Sequence, residues 1–145
     1  MEIRGTGSYL PGKIITNDDL SEVVDTNDEW ISSRTGICQR HISEGETTSE
    51  MAAKAAVAAL EDAEVSPEEV ELIIVATMTG DEAMPGTACK VQKEIGAVHA
   101  TCFDLSAACT GFVFALNTAN AYLASGMYRN ALVIGADMVS KVIDW

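Results

Sequence analysis

The sequence has few basic residues and no long apolar run. Its 145 residues include 9 Lys and Arg against 22 Asp and Glu, which gives a formal net charge of −13. Such a chain repels a phosphate backbone, so the composition argues against a nucleic-acid partner. No window approaches the roughly 18 apolar residues of a membrane span, and the first residues, Met-Glu-Ile-Arg-Gly-Thr-Gly, lack the form of a signal peptide. We therefore expect a cytoplasmic protein without a membrane partner.

Cysteine and histidine are too scattered to form a framework. The four cysteines include no C-x-x-C pair, and the two histidines, His41 and His99, complete no metal-ligand spacing. We therefore expect neither a metal site nor a disulfide framework. Three cysteines are interpreted as packing residues, namely Cys38, Cys89 and Cys102.

The chain does have a regular alternation of apolar strands and helices. Strands are predicted at residues 2–10, 37–43, 72–77 and 131–136, and at the beginning of 101–125. The apolar runs at 72–77, at 131–136 and at the beginning of 101–125 indicate buried strands, and the last of these is expected to be central. Helices are predicted to begin at Thr16, Thr26 and Thr47. The second of these is expected to end at Gly36, and the third, with many alanines on one face, is expected to be buried. Another helix is expected to end at about Ile95, before Gly96, and a last one fills the rest of 101–125. The length allows one domain with a real core. The βαβαβ order indicates an α/β domain with a mostly parallel sheet, whose ligands bind beyond the carboxyl ends of the strands.

The clearest chemistry lies in the stretch 101–116. It passes from a strand through three small residues to Cys109 and then directly into a helix. A cysteine at such a joint faces the free N–H groups and the positive dipole end of the helix, which stabilise thiolate over thiol. The small neighbours, including Gly111, leave room for a sharp turn and an acyl group, as in a nucleophile elbow. The alternative is that Cys109 is a small buried hydrophobe.

Five motifs in register resemble β-ketoacyl-acyl carrier protein synthase III, a condensing enzyme of the thiolase-like superfamily. They are 5–11 (GTGSYLP), 25–31 (DTNDEWI), 34–37 (RTGI), 40–42 (RHI) and 107–112 (AACTGF). The resemblance implies that residues 1–145 form the first half of a thiolase-like fold, with a mostly parallel sheet and a buried helix. It implies that Cys109 takes an acyl group from an acyl-coenzyme A and gives it to the carbanion formed by decarboxylation of malonyl-acyl carrier protein. No cofactor is implied, and the backbone N–H of Cys109 is expected to form one arm of an oxyanion hole.

The resemblance also suggests roles for residues outside this stretch. By this resemblance, Trp30 and Arg34 are expected to bind coenzyme A, with Thr26 as a weaker candidate, and Met84 is expected to close the acyl pocket of the partner in a homodimer. The alternative for the first pair is that Trp30 packs beneath its helix while Arg34 covers it as a solvated surface residue. The alternative for Met84 is that its side chain only packs within its own loop. His41 and His99 receive no catalytic role, because the histidine and asparagine that assist the cysteine lie in the second half of family members.

Family members are longer than this chain and consist of two similar halves. We therefore expect a complementary C-terminal half, absent from this chain, as a separate chain or a missing segment, and we expect the present chain to be inactive alone. An acidic acyl carrier protein would dock on that half rather than on this acidic one. Two alternatives stay open. One is another acyl-coenzyme A condensing enzyme, similar to 3-hydroxy-3-methylglutaryl-coenzyme A synthase, and the other is an inactive fragment or partner subunit.

Overall fold

The computed structural model describes residues 1–143, and these group into two compact units. The larger unit comprises residues 1–9 and 47–137, and the smaller unit comprises residues 10–46 with the residues from 138 onward. The predicted single half-domain over residues 1–145 stays a prediction, and the two units are described separately below. Residues 144–145, which belong to the predicted half-domain, lie outside the described residues.

The smaller unit contains two strands and two short helices. Its elements are β1 (Lys13–Thr16), α1 (Asn17–Ser21), α2 (Asp28–Thr35) and β2 (Gln39–Ile42), followed late in the chain by a 3-10 turn at Val139–Lys141. The two strands pair antiparallel, with Lys13 opposite Ile42 and Thr16 opposite Gln39.

Local sequence signals explain both helices of this unit. The predicted start of α1 at Thr16 is confirmed, because Thr16 and Asp19 form a reciprocal capping box. The predicted start of α2 at Thr26 is wrong by one residue. The side chain of Asn27 accepts the backbone N–H of Trp30 at 2.8 Å, and its amide oxygen therefore caps the helix instead.

A buried asparagine joins the elements of the smaller unit. The side-chain nitrogen of Asn17 donates to Asp28 Oδ1 and to the carbonyl oxygen of Ile37, both at 2.7 Å, and its oxygen accepts from Arg40 Nη1 at 2.6 Å. The residue is 1% exposed. One side chain therefore forms hydrogen bonds with α2, with β2 and with the loop between them. These bonds fix the position of α2 relative to β2.

The larger unit is a three-stranded parallel sheet between helices. Its elements are α3 (Thr48–Ala63), a 3-10 turn (Pro67–Glu69), β3 (Leu72–Ala76), α4 (Thr87–Ile95), β4 (Thr101–Leu105), a 3-10 turn (Ala108–Thr110), α5 (Gly111–Ala124) and β5 (Leu132–Gly135). The strand order is β4-β3-β5, with Ile73 opposite both Cys102 and Leu132. The predicted α/β alternation with a parallel sheet is confirmed. No helix within residues 1–143 is long and apolar enough to cross a membrane.

The central strand is β3, and it is buried along its whole length. Ile73 and Val75 pack in a cluster with residues of α3 and α4, whereas Leu72 and Ile74 pack in a second cluster with residues of α5. Residues that alternate along a strand point to opposite faces, so the two clusters lie on the two sides of the sheet. The predicted burial of α3 is confirmed as well, since its residues Ala52, Ala53, Ala56 and Leu60 belong to the core.

Two predictions about strands are wrong. The segment 101–105 is not a buried central strand, because β4 lies at the edge of the sheet and Thr101 and Asp104 are exposed. Residues 2–10 form no strand; this extended segment instead lies against the backbone of α3. A methyl group at Gly5 would be 2.5 Å from the nitrogen of Ala63, and one at Gly7 would be 2.3 Å from the nitrogen of Ala59. Glycine is therefore required by close approach to a helix, not by strand geometry.

Candidate active site

Cys109 lies in a tight turn that joins β4 to α5. The turn is the 3-10 segment Ala108–Thr110, and the hydroxyl of Thr110 donates to the carbonyl oxygen of Ala107 at 2.9 Å. Ala108 has a φ of 47°, a left-handed conformation that is costly for a residue with a Cβ. A sharp, strained turn between a strand and a helix is also the setting of the nucleophile in a nucleophile elbow. Cys109 itself is exposed, so it is not the small buried hydrophobe of the alternative interpretation.

The start of α5 comes close to the end of β3. A Cβ at Gly111 would lie 3.2 Å from the Cβ of Ala76, so glycine permits this approach. Thr110 is the residue that precedes α5, and Cys109 therefore sits one residue before the helix cap rather than within the first turn. The stabilisation of a thiolate by α5 stays a prediction.

A carboxylate clamps the loop that follows β3. Asp137, two residues after β5, uses Oδ1 to accept the backbone N–H groups of Met78 at 2.7 Å and Thr79 at 3.1 Å. The same oxygen accepts the hydroxyls of Thr77 at 3.2 Å and Thr79 at 2.9 Å. The hydroxyl of Ser106 in turn donates to the sulfur of Met78 at 3.0 Å. Hydrogen bonds thus connect Asp137, just after β5, to the loop after β3, and connect that loop to Ser106, which leads into the Cys109 turn.

A second carboxylate fixes the other end of this loop, where α4 begins. The two oxygens of Asp104 accept the backbone N–H groups of Thr87 at 2.7 Å and Ala88 at 2.6 Å. A Cβ at Gly86 would lie 2.8 Å from Asp104 Oδ2, so the cap requires glycine there. Because Asp104 comes from β4, the edge strand supplies the helix cap that the residues before α4 lack.

Met84 lies in the loop between these two anchors, and its side chain is 84% exposed. An unbranched apolar side chain that is this exposed contributes little to packing its own loop. The arrangement therefore does not support simple loop packing. It leaves the predicted role of Met84 in a partner's acyl pocket as a prediction.

Trp30 and Arg34 lie together on the surface of α2. The Trp30 side chain is 53% exposed, and the Arg34 guanidinium carbon is 4.6 Å from the centre of its indole ring. Arg34 Nη1 also donates to the carbonyl oxygen of Trp30 at 3.4 Å. Thr26 is half-buried and directly precedes the capping residue of α2. The structure thus brings Trp30 and Arg34 into one stacked pair in the smaller unit, whereas Cys109 and Met84 belong to the larger unit.

The remaining cysteines do not all pack as the sequence predicts. Cys38 and Cys89 are exposed, so the prediction that they are packing residues is wrong. Cys102 is half-buried against the core, as predicted. Burial raises the pKa of the Cys102 thiol to about 11, and a hydrogen bond with Cys89 adds to this effect. Among residues 1–143, no group of three or more His, Cys, Asp or Glu side chains is placed to hold a metal ion.

Sequence reasoning missed the residues that position the candidate site. Asp104 and Asp137 act on segments that are 16 or more residues away, and no local pattern marks such contacts. A weak signal exists for Asp137, because it follows a buried strand at the carboxyl edge of the sheet, where functional residues concentrate. His41 has a structural contact, since its Nδ1 lies 2.7 Å from the carbonyl oxygen of Pro11.

Comparison with known proteins gives consistent matches in sequence and structure. A family described as 3-oxoacyl-[acyl-carrier-protein (ACP)] synthase III matches residues 103–145. The β-ketoacyl-[acyl-carrier-protein] synthase III of Clostridium acetobutylicum is 59% identical over 145 residues, which cover 100% of this chain and 45% of that protein. The protein of the same name from Lactococcus lactis subsp. lactis is 56% identical over 144 residues, with 99% and 44% covered. The crystal structure of 3-oxoacyl-[acyl-carrier-protein] synthase III from Aquifex aeolicus VF5 matches with a TM-score of 0.97 at 50% identity, covering 99% of this chain and 47% of that one.

The two curated relatives share a name, and this chain covers a similar fraction of each matched protein. This chain spans about half the length of the curated relatives it matches, as expected for one half of such a protein. The predicted fold class, the first half of a thiolase-like α/β fold, is confirmed by the superposition with a solved synthase III. Sequence and fold together show that the chain belongs to the β-ketoacyl-[acyl-carrier-protein] synthase III family.

Proposed function

We propose that this chain is the nucleophile-bearing N-terminal half-domain of an acyltransferase that initiates fatty-acid synthesis. Cys109 accepts an acyl group from an acyl-coenzyme A and transfers it to malonyl-acyl carrier protein by decarboxylative Claisen condensation. The observation that carries the proposal is the exposed Cys109 in a strained turn at the carboxyl end of a parallel sheet. The reaction requires the remainder of the protein, which the present chain does not supply.

The chemistry suits a thiolate at this position. The sulfur attacks the thioester carbonyl carbon, the carbonyl electrons move to oxygen, and the tetrahedral intermediate expels the coenzyme A thiolate. In the second half-reaction, loss of carbon dioxide from the malonyl group leaves a carbanion that attacks the acyl carbon and releases the Cys109 thiolate. The first N–H groups of a helical turn have no partner within the helix. The backbone N–H of Cys109 belongs to such a turn and supports the proposed oxyanion arm.

The surface of α2 supports the coenzyme A side of the proposal. An indole face stacks on adenine, and a guanidinium binds phosphate or extends the stack. Both side chains are exposed, and the Arg34 guanidinium lies over the Trp30 indole ring. We propose that they bind coenzyme A, with Thr26 at the edge of the same site.

The remaining partners follow from the same proposal. A homodimer places the exposed Met84 against the acyl pocket of the second copy, and a basic surface outside this acidic chain receives the acyl carrier protein. No cofactor takes part, because the thioester supplies the leaving group and decarboxylation supplies the carbanion. We place the activity in the cytoplasm.

The proposal is tested by acyl transfer to the complete protein. The full-length enzyme is incubated with acetyl-coenzyme A in the absence of malonyl-acyl carrier protein, and its intact mass is measured. We expect one acetyl adduct that maps to the peptide containing Cys109 and disappears in Cys109→Ala. The matched control is Cys38→Ala, which removes an exposed cysteine in the other unit and retains the adduct. An adduct that persists in Cys109→Ala would show that the nucleophile is another residue.

A further inference from the structure

Two cysteine sulfurs meet where α4 lies beside the edge strand β4. Cys89 lies on α4 and Cys102 on β4, and their sulfurs are 3.5 Å apart. The thiol of Cys102 donates to Gln92 Oε1 at 3.2 Å, and Gln92 Nε2 donates to the carbonyl oxygen of Ala100 at 2.6 Å. Gln92 therefore holds the Cys102 sulfur in place beside Cys89.

The two thiols differ in access to solvent. Cys89 is exposed, whereas Cys102 is half-buried and packs against the core cluster. Oxidants reach the exposed sulfur first, because reactivity follows access and thiolate character. Burial disfavours the charged form of Cys102, as its raised pKa shows. Cys89 is thus suited to react first with an oxidant, and Cys102 is suited to be the resolving thiol.

We propose that Cys89 and Cys102 form a redox-active dithiol that a peroxide oxidises to a disulfide between α4 and β4. The Cys89 thiolate attacks one oxygen of hydrogen peroxide, which yields a sulfenic acid at Cys89 and, after protonation of the leaving hydroxide, one water. The sulfur of Cys102 then attacks the Cys89 sulfur and loses its proton, and the hydroxyl group leaves as a second water. The two thiols lose two electrons, and one peroxide gains them.

The required movement is small. A disulfide bond joins sulfurs about 2.05 Å apart, so the observed separation must shrink by about 1.5 Å. The exposed Cys89 side chain can rotate to close this gap while Gln92 retains Cys102. The link would tie α4 to the strand whose Asp104 already caps that helix. The inference is independent of the proposed condensing activity, because neither cysteine belongs to that site.

The experiment is thiol mapping of the full-length protein. The reduced protein is treated with a few equivalents of hydrogen peroxide, free thiols are alkylated, and the digest is analysed by mass spectrometry. We expect a peptide pair linked through Cys89 and Cys102, a loss of two hydrogens from the intact mass, and reversal by dithiothreitol. If both cysteines remain alkylated, or if either is linked to a different cysteine instead, the proposal is wrong.

Variants separate the roles of the two thiols. In Cys102→Ala the resolving sulfur is absent, so we expect a sulfenic acid at Cys89 that dimedone labels. In Cys89→Ala we expect Cys102 to remain reduced under the same treatment. Cys38→Ala is the control and retains the link, because Cys38 is an exposed cysteine of the smaller unit whose thiol donates to the carbonyl oxygen of Gly36 at 4.0 Å. Faster oxidation of Cys102 than of Cys89 would overturn the assigned order, and the mapping of the unmodified protein does not depend on how the variants fold.

Discussion

Single residues fix how closely backbone segments pack, both against α3 and around the Cys109 turn. Gly5, Gly7 and Gly86 are each so close to a neighbour that a methyl group would lie less than 3 Å from another heavy atom. Ala108 holds the left-handed φ that turns the chain before Cys109. Such positions tolerate few side chains, because the added atoms or the altered φ would force packed segments apart.

Gly7→Ala tests whether the close approach to the backbone of α3 requires glycine. The new methyl group would be 2.4 Å from the carbonyl oxygen of Ala55, and backbone atoms cannot rotate away. We expect the free energy of unfolding, measured by urea denaturation of the full-length protein, to fall by about 2 kcal/mol or more. Gly12→Ala is the matched control, because a methyl group there meets no atom within 4 Å. Its stability should stay within about 1 kcal/mol of the wild type, and equal losses in both variants would contradict the contact argument.

Trp30→Ala tests the role of the exposed stack on α2. Base stacking on an aromatic side chain contributes about 1–3 kcal/mol, so we expect KM for acyl-coenzyme A to rise by roughly tenfold or more while kcat changes little. Trp30→Phe should recover most of the affinity, because a ring face remains. If Trp30 instead packs beneath its helix, the alanine variant loses stability and leaves KM unchanged. Steady-state kinetics and thermal unfolding of the full-length enzyme distinguish the two results.

At the scale of elements, two helices are capped by carboxylates from elsewhere in the chain. Asp104 caps α4, and Asp81 accepts the backbone N–H of Thr48 at 2.8 Å and of Ser49 at 3.3 Å at the start of α3. Burial would raise the pKa of Asp81, but hydrogen bonds from Ser49 and Thr48, with the charge of Lys90, outweigh it, so the pKa is lowered. The negative charge also complements the positive end of the helix dipole.

Asp81 should therefore make stability depend on pH. Its pKa is lower in the folded state, so its contribution is present above the unfolded value and is lost as the pH falls through the folded value. We expect Asp81→Asn to be about 1–2 kcal/mol less stable than the wild type near neutral pH, and the difference to shrink as the pH falls from about 5 to about 3. Urea denaturation at each pH measures this. Glu94→Gln, an exposed carboxylate on α4, controls for loss of charge, and a constant Asp81→Asn difference would refute the linkage.

The accuracy of sequence-based prediction also differs between elements. The capping boxes at Thr16 and Thr47, the buried run of β3 and the ends of α2 and α4 at glycines are local signals, and each is confirmed. The resemblance identified Cys109 as the nucleophile, and the structure adds the strained turn that presents it. The edge position of β4, the path of residues 2–10 and the meeting of Cys89 with Cys102 depend on contacts distant in sequence, which periodicity does not encode.

At the scale of the molecule, α5 has an uncovered apolar face. Val113 and Phe114 are more than half exposed, and Phe114, Tyr122 and Met127 line an open groove. The outer edges of the three-stranded sheet, β4 and β5, are likewise unpaired within the described part of the chain. Exposed apolar faces and strand edges favour association. The whole enzyme is proposed to cover this face with its remaining half.

The 145-residue chain should therefore associate when it is produced without the rest of the protein. We expect native mass spectrometry to find species above the chain mass of 15.4 kDa. Phe114→Glu should reduce this association by placing a charge on the apolar face, whereas Val98→Glu, at an isolated exposed position before β4, should not. A stable 15.4 kDa monomer that unfolds cooperatively would contradict the expectation.

The carboxylate clamps have a consequence for engineering this acidic protein. A net charge of −13 invites substitution of Asp and Glu to adjust solubility, ion exchange or crystallisation. Asp81, Asp104 and Asp137 resemble other acidic residues in a sequence, yet each receives two or more hydrogen bonds from backbone or hydroxyl groups. Substitutions that change the net charge should therefore retain these three aspartates and replace exposed glutamates instead, because the three carboxylates hold backbone segments in place.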